Sequence, residues 1–248
     1  LVGQDIASYG SERGEKDALP DLLKSLSEIS EGELWIRLLY LHPLNITENL
    51  IRAVKESPFV VNYFDVPIQH GSSRMLGKMK RNYTRDYLRD LFSLIREEME
   101  DAVLRTTVLL GFPGENDDDF NELMELIDEV RFDRVGGFVY SREEGSVSFR
   151  MENQVPRGIA TARIEELMTL QSRISHEINS SLLGKRFTVL AETGISDEGI
   201  FKGRYYGQAP EVDGFVSARS RGVVNPGDRL TVKITDYDHY DLFGDVVE

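Results

Sequence analysis

Apolar positions follow two alternating patterns over most of the chain, and the alternation predicts the fold. Nearly continuous apolar runs at Leu34–Leu39, Tyr63–Val66, Ala102–Leu110 and Arg134–Tyr140 read as buried strands. Between them, apolar residues recur three and four apart: Leu22, Leu23, Leu26 and Ile29 after Pro20, then Leu50, Ile51 and Val54 after Thr47. The same spacing returns at Leu88, Leu91, Phe92, Ile95 and Met99 after Thr84, and at Phe120, Leu123, Met124, Ile127 and Val130 after Asn116. Each stretch opens on a residue suited to a helix start, either a side chain that accepts an orphan N–H or a proline in the first turn. Gly32 suits the end of the first helix, and Pro58 ends the second near Ser57. Leu1 to Gln4 reads as the end of one further strand, Asp5 to Lys16 as a loop, and Pro67 to Ser73 as a polar loop. Strands alternating with helices in this way predict a parallel sheet with helices outside it. Five such units cannot close an eight-stranded barrel, so a partial, open β/α barrel is expected.

The pattern changes after a long helix predicted over Arg157–Leu183, with Ile164, Leu167, Met168, Ile174, Ile178 and Leu182 on one side and Gly184 at its end. Short β-rich runs follow at Arg186–Ala191, Gly199–Tyr205, Gly214–Ala218, Arg229–Tyr237 and Leu242–Val247, with a turn sequence at Asn225-Pro226-Gly227-Asp228. They predict a small antiparallel β-barrel of OB type, and a domain boundary that separates 1–183 from 184–248.

In parallel α/β folds ligands sit where strands end, because the sheet holds those loops still. Here that rim comprises Gln4 and Asp5, His42 and Pro43, Gln69 to Gly71, Gly111 to Glu115, and Ser141 to Gly145. Gly111 and Gly114 would let a flat ligand approach the backbone, and Glu115 would accept a hydrogen bond or fix the turn. Arg37 lies in a strand that reads as buried, where an unpaired guanidinium is costly, so it pairs with Asp65 or holds a ligand carboxylate. No nucleophile triad and no phosphate-binding Gly-Lys-Ser/Thr loop is present.

Composition narrows the chemistry. The 248 residues contain no cysteine, which removes disulfides, thiol nucleophiles and thiolate-held metals, and the four histidines lack metal-type spacing. With 40% apolar residues, no membrane-length run and no signal peptide, the chain reads as soluble. Its net charge of −14 opposes the usual nucleic-acid footprint. The β module alone carries eight Lys/Arg against eleven Asp/Glu, which suits a basic protein partner better than tRNA. Asp213, Asp236, Asp238 and Asp241 are the candidate substrate contacts.

Several segments carry a family resemblance: Gln4-Asp5-Ile6-Ala7-Ser8-Tyr9-Gly10, Phe64-Asp65-Val66-Pro67-Ile68-Gln69-His70-Gly71, Met79-Lys80-Arg81-Asn82-Tyr83-Thr84 and Gly111-Phe112-Pro113-Gly114-Glu115. Val139-Tyr140-Ser141-Arg142-Glu143-Glu144-Gly145, Gly203-Arg204-Tyr205-Tyr206, Ala209-Pro210-Glu211-Val212-Asp213-Gly214 and Asp238-His239-Tyr240-Asp241-Leu242-Phe243-Gly244 follow in order. Together they resemble the later half of a radical SAM methylthiotransferase, in the branch that modifies an aspartate of small-subunit ribosomal protein twelve, with a TRAM domain as the β module.

The resemblance implies a radical SAM barrel, S-adenosyl-L-methionine (SAM), an electron donor, a cytoplasmic location and two 4Fe-4S clusters, one of which generates a 5′-deoxyadenosyl radical. Without cysteine this chain ligates neither cluster, so it is expected to be a fragment that begins downstream of the cluster loop and is inert alone. By position, the resemblance places Gly111 and Glu115 beside SAM, Phe112 on the adenine, Gln69 near the ribose and Gln4 at the preceding strand end. Arg37, Arg81 and Arg105 are its candidates for the SAM carboxylate or for ion pairs. The alternatives are the related tRNA methylthiotransferases, which the acidic module and the Gln69-His70 and Ser141 to Gly145 sequences disfavour, and a non-enzymatic RNA-binding role for the barrel.

Overall fold

Side-chain caps start three of the helices where the sequence predicts them. In the computed structural model, which describes residues 3–29 and 34–247, α1 spans Ala18–Ile29, β1 Ile36–Leu38 and α2 Glu48–Glu56, with the Thr47 hydroxyl accepting from Leu50 N. Next come β2 Val60–Asp65, α3 Ser73–Lys78 and α4 Arg85–Glu98, the last capped by Thr84. β3 Val103–Leu110 leads to α5 Asp117–Val130, where Asn116 and Asp119 cap each other's backbone N–H reciprocally. β4 Arg134–Val139 and α6 Arg157–Ser180 complete the series.

The strands form a four-stranded parallel sheet in the order β1-β2-β3-β4, so the partial α/β reading holds with one strand fewer than expected among the described residues. Leu1, Val2 and Gly32 lie outside the described residues, and Gly3 and Gln4 are not in a strand. Asp5 instead caps a short 3-10 turn at Ile6–Ser8 and accepts from His42 N at 3.0 Å and Asn45 Nδ2 at 2.6 Å. β1 is shorter than predicted, with Leu34 exposed, and β2 begins earlier than the sequence indicates.

The segment read as a polar loop is a correction of substance. Ile68, His70 and Ser72 are fully buried, and Gln69 bridges to Val108 as an extension of the sheet. α3 follows, a helix too short to show a periodicity.

Burial along β3 alternates: Leu104, Thr106, Val108 and Leu110 are buried while Arg105, Thr107 and Leu109 are half-exposed. The half-exposed set neighbours Asp65 on β2 and Gly136 and Phe138 on β4, which leaves one sheet face partly open, with Phe138 59% exposed. The strands are therefore not buried equally on both faces.

The second unit is a closed barrel of β5 Arg186–Ala191, β6 Ile200–Arg204, β7 Val216–Arg219, β8 Arg229–Tyr237 and β9 Leu242–Val246, in the order β5-β6-β7-β9-β8. β7 and β9 run parallel and the other four pairs antiparallel, which qualifies the purely antiparallel expectation. Val189, Phe201, Val216, Ala218, Val232, Ile234 and Leu242 fill its core. Contacts divide the chain between Gln171 and Ser172, within α6. No helix among the described residues is long and apolar enough to cross a membrane.

Candidate functional site

The turn that leaves β3 is built by its neighbours. Gly111 has φ +82°, and a Cβ there would stand 2.5 Å from the Ala160 Cβ of α6. The space at Gly111 is thus filled by a helix, not left for a ligand. Its N–H donates to Glu115 Oε2 at 2.8 Å, and Glu115 N donates to Phe112 O at 3.0 Å.

Glu115 is buried, and its other oxygen accepts from Arg163 Nη1 at 2.6 Å, while Arg163 Nη2 reaches Asp117 at 2.6 Å. His70 Nδ1 accepts from Ser72 N, which puts the proton of the neutral ring on Nε2, 3.6 Å from Glu115 Oε2. Glu115 therefore fixes the turn.

Asp119 joins the same network. It accepts from Ser72 Oγ at 2.8 Å, from Asn116 N at 2.9 Å and from the Arg74 guanidinium. Burial pushes its carboxyl up, but the hydrogen bonds from Arg74, Asn116 and Ser72 prevail and hold it below the usual carboxylate range. At Gly114, φ is +82° and the Lys78 ammonium occupies the space a side chain would need.

A cavity of about 270 Å³ opens beside this turn. Leu109, Phe112, Met79, Val147 and Met151 give it apolar walls, and Gln69, Ser148, Lys78, Lys80 and Arg81 supply its polar groups. Gln69 is braced at φ +66°, donating to Thr107 O at 3.0 Å and accepting from Leu109 N at 2.8 Å. Phe112 packs edge-on against Tyr140, with centroids 5.3 Å apart. The loop after β4 supplies the opposite wall: Arg142 donates twice to Phe149 O, and Gln154 Nε2 donates to Ser148 O and Met151 O.

A second cavity, of about 490 Å³, is lined by Arg74, Lys78, Glu115, Asn116 and Arg163. Lys78 borders both.

Of the predicted contacts, Gln69 and Phe112 meet at the first cavity, and Arg81 joins them. Gln4 is exposed and is not among its lining residues. Arg37 stacks over Tyr63 at 4.7 Å, and Arg105 donates to Asp65 at 2.9 Å, so neither lines this cavity.

Sequence reasoning missed Lys78 and the 147–151 segment, because no motif or spacing marks them. Burial holds the His42 imidazole below its ordinary value, with Asp5 opposing and Arg81 adding to that shift.

In the barrel unit, Asp213 is a correction: it is 3% exposed and its carboxylate accepts from Ala209 N, which takes it off the surface. Asp236 and Asp238 are exposed and accept from Tyr237 N and from Tyr240 N and Asp241 N. Asp241 accepts from Phe215 N at 2.9 Å. Each of the four holds a turn or strand end.

Residues 12–127 match the Radical SAM superfamily and residues 183–247 the TRAM domain. A Thermotoga maritima protein named "Ribosomal protein uS12 methylthiotransferase RimO" is 46% identical over 248 residues, all of this chain and 56% of that protein. A Clostridioides difficile protein of the same name is 40% identical over 247 residues, 100% of this chain and 55% of that one. The chain thus spans little more than half the length of these curated relatives. Among solved structures, the radical SAM enzyme coproporphyrinogen III oxidase (HemN) of Escherichia coli aligns with a TM-score of 0.52 at 14% identity. The alignment covers 64% of this chain and 37% of HemN, a likeness of fold alone.

Proposed function

We propose that the chain belongs with the radical SAM methylthiotransferases called RimO and is part of an enzyme that methylthiolates the β-carbon of an aspartate in ribosomal protein uS12. One observation carries the reading: 46% identity to a protein named for this reaction runs over the whole chain, through both units. We take 1–183 as the later part of the radical SAM domain and 184–248 as the TRAM domain.

The first cavity offers groups that match the parts of SAM. Phe112, Leu109 and Met151 offer apolar surface to an adenine, Gln69 offers an amide to the ribose, and Arg81 a guanidinium to the carboxylate. Bound together with a reducing cluster, SAM supplies the radical that removes hydrogen from the target carbon. Gly111 and Glu115 serve this site by setting the turn that carries Phe112. Arg37 and Arg105, on the half-open sheet face, are assigned to structure.

Neither 4Fe-4S cluster fits this chain, which has no cysteine. We assign cluster ligation and the electron donor's docking to the part of the relatives that the chain does not span, and expect the chain alone to be inert. The basic substrate would meet Asp236, Asp238 and Asp241 on the barrel, in the cytoplasm where ribosomes are assembled.

The test uses the full-length protein, purified anaerobically with its clusters and incubated with SAM, reductant, a sulfur source and uS12. Mass spectrometry is expected to find a methylthio group on one aspartate. Methylthiolation of tRNA with none on uS12 would overturn the substrate assignment.

A further inference from the structure

Three carboxylates and three cations surround the turn after β3, and their pairing leaves one cation over. Arg163 takes Glu115 and Asp117, and Arg74 takes Asp119. Lys78 has no carboxylate within ion-pair reach among the described residues, although it is half-buried and its ammonium lies on Gly114. An ammonium held there gives up part of its hydration without an anion in return, an arrangement that makes sense when a ligand supplies one.

The surrounding charge points the same way. The first cavity is lined by Lys78, Lys80 and Arg81 and by no carboxylate, in a chain whose net charge is −14. SAM brings one carboxylate and, through its sulfonium and amino groups, two positive charges. Three cations around such a ligand repel it unless a second anion enters. Arg81, whose planar fork suits a carboxylate, accounts for the first.

We propose that Lys78 receives the side-chain carboxylate of the substrate aspartate, fixing the residue whose β-carbon reacts and separating aspartate from asparagine. The inference rests on the function proposed above and names a group of that same site that reads the substrate. Recognition of a carboxylate by a desolvated ammonium discriminates against a neutral amide, because the amide leaves the charge unpaired.

The test compares two uS12-derived peptides, with aspartate or asparagine at the target position, in the full-length holoenzyme and its Lys78→Met and Lys78→Arg variants. The wild type is expected to favour aspartate in kcat/KM. Lys78→Met should erase about ten- to a hundredfold of that preference through the KM of the aspartate peptide. Lys78→Arg should restore most of it. Thermal unfolding of each variant checks that the fold is kept.

An unchanged preference in Lys78→Met would overturn the proposal, as would equal losses on both peptides. A rise in the SAM Kd without a change in peptide KM would also overturn it, assigning Lys78 to the carboxylate of SAM. A wild-type holoenzyme that cleaves SAM but modifies neither peptide would instead count against the proposed function itself.

Discussion

Two polar groups border the same turn, and they differ in how their charges are spent. In one, Glu115, Arg163, Asp117, Asp119 and Arg74 satisfy each other, with Glu115 and Asp119 buried. In the other, Lys78, Lys80 and Arg81 line a cavity with no anion among its walls. The carboxylates of the closed group lie on or just after the motif that the sequence made conspicuous, whereas in the open group Lys80 and Arg81 lie on a quoted segment and Lys78 on a stretch that looks ordinary. A self-satisfied buried network specifies a conformation, and an unsatisfied cationic rim is where a ligand gains most.

The largest effect should come from breaking the closed group. Arg163→Met leaves the buried Glu115 carboxylate without its cation, and about 3–5 kcal/mol of stability is expected to go, measured by urea unfolding. Loss below about 1 kcal/mol would mean that Glu115 reaches water or takes up a proton.

Gly111→Ala should cost about 2 kcal/mol, from a positive φ together with the clash against Ala160. Ala160→Gly in the same chain should recover the steric part of that loss. A double-mutant cycle showing no coupling would contradict the close approach.

Acid should also act on the closed group. The folded carboxyl of Asp119 is held below its ordinary value, so the unfolded chain binds its proton first as the pH falls. Its contribution is therefore present above the ordinary carboxylate range and lost as pH drops through the folded pKa. Asp119→Asn should flatten the stability profile in that acid window. For His42, depressed by burial, the same sign puts the loss just below its ordinary value of 6.5, and His42→Gln removes that slope.

The smallest effect on stability is expected at the open rim. Arg81→Gln should shift unfolding by no more than about 0.5 kcal/mol, since among the described residues the side chain has no carboxylate partner to lose. Its effect should appear in SAM affinity, measured by calorimetry on the full-length protein. A stability loss comparable with that of Arg163→Met would place Arg81 in the closed group instead.

Much of this architecture was legible in the chain. Thr47, Thr84 and Asn116 announced their helices because capping is local, and the strand at 102–110 was marked by its continuous apolar run. The barrel strands followed from short β-rich runs and turn residues, although nothing in their spacing revealed that β7 and β9 pair in parallel. Gln69 and Phe112 were singled out as strand-end residues, by a rule that needs only strand order, and the structure brings both to one cavity.

Other matters depended on which segments meet in space. Ala160 and Arg163 lie far along the chain from Gly111 and Glu115, and only their packing turns two apparent ligand contacts into parts of a braced turn. The same holds for Asp213, whose carboxylate folds back onto Ala209, and for Lys78, which Glu115, Asp117 and Asp119 pass over for arginines. Sequence by itself determined most of the elements and their order, because hydrophobic period and capping act over a few residues. Tertiary structure alone decided which charges are already spent and which are left for a ligand, because that depends on distances between segments that local pattern does not encode.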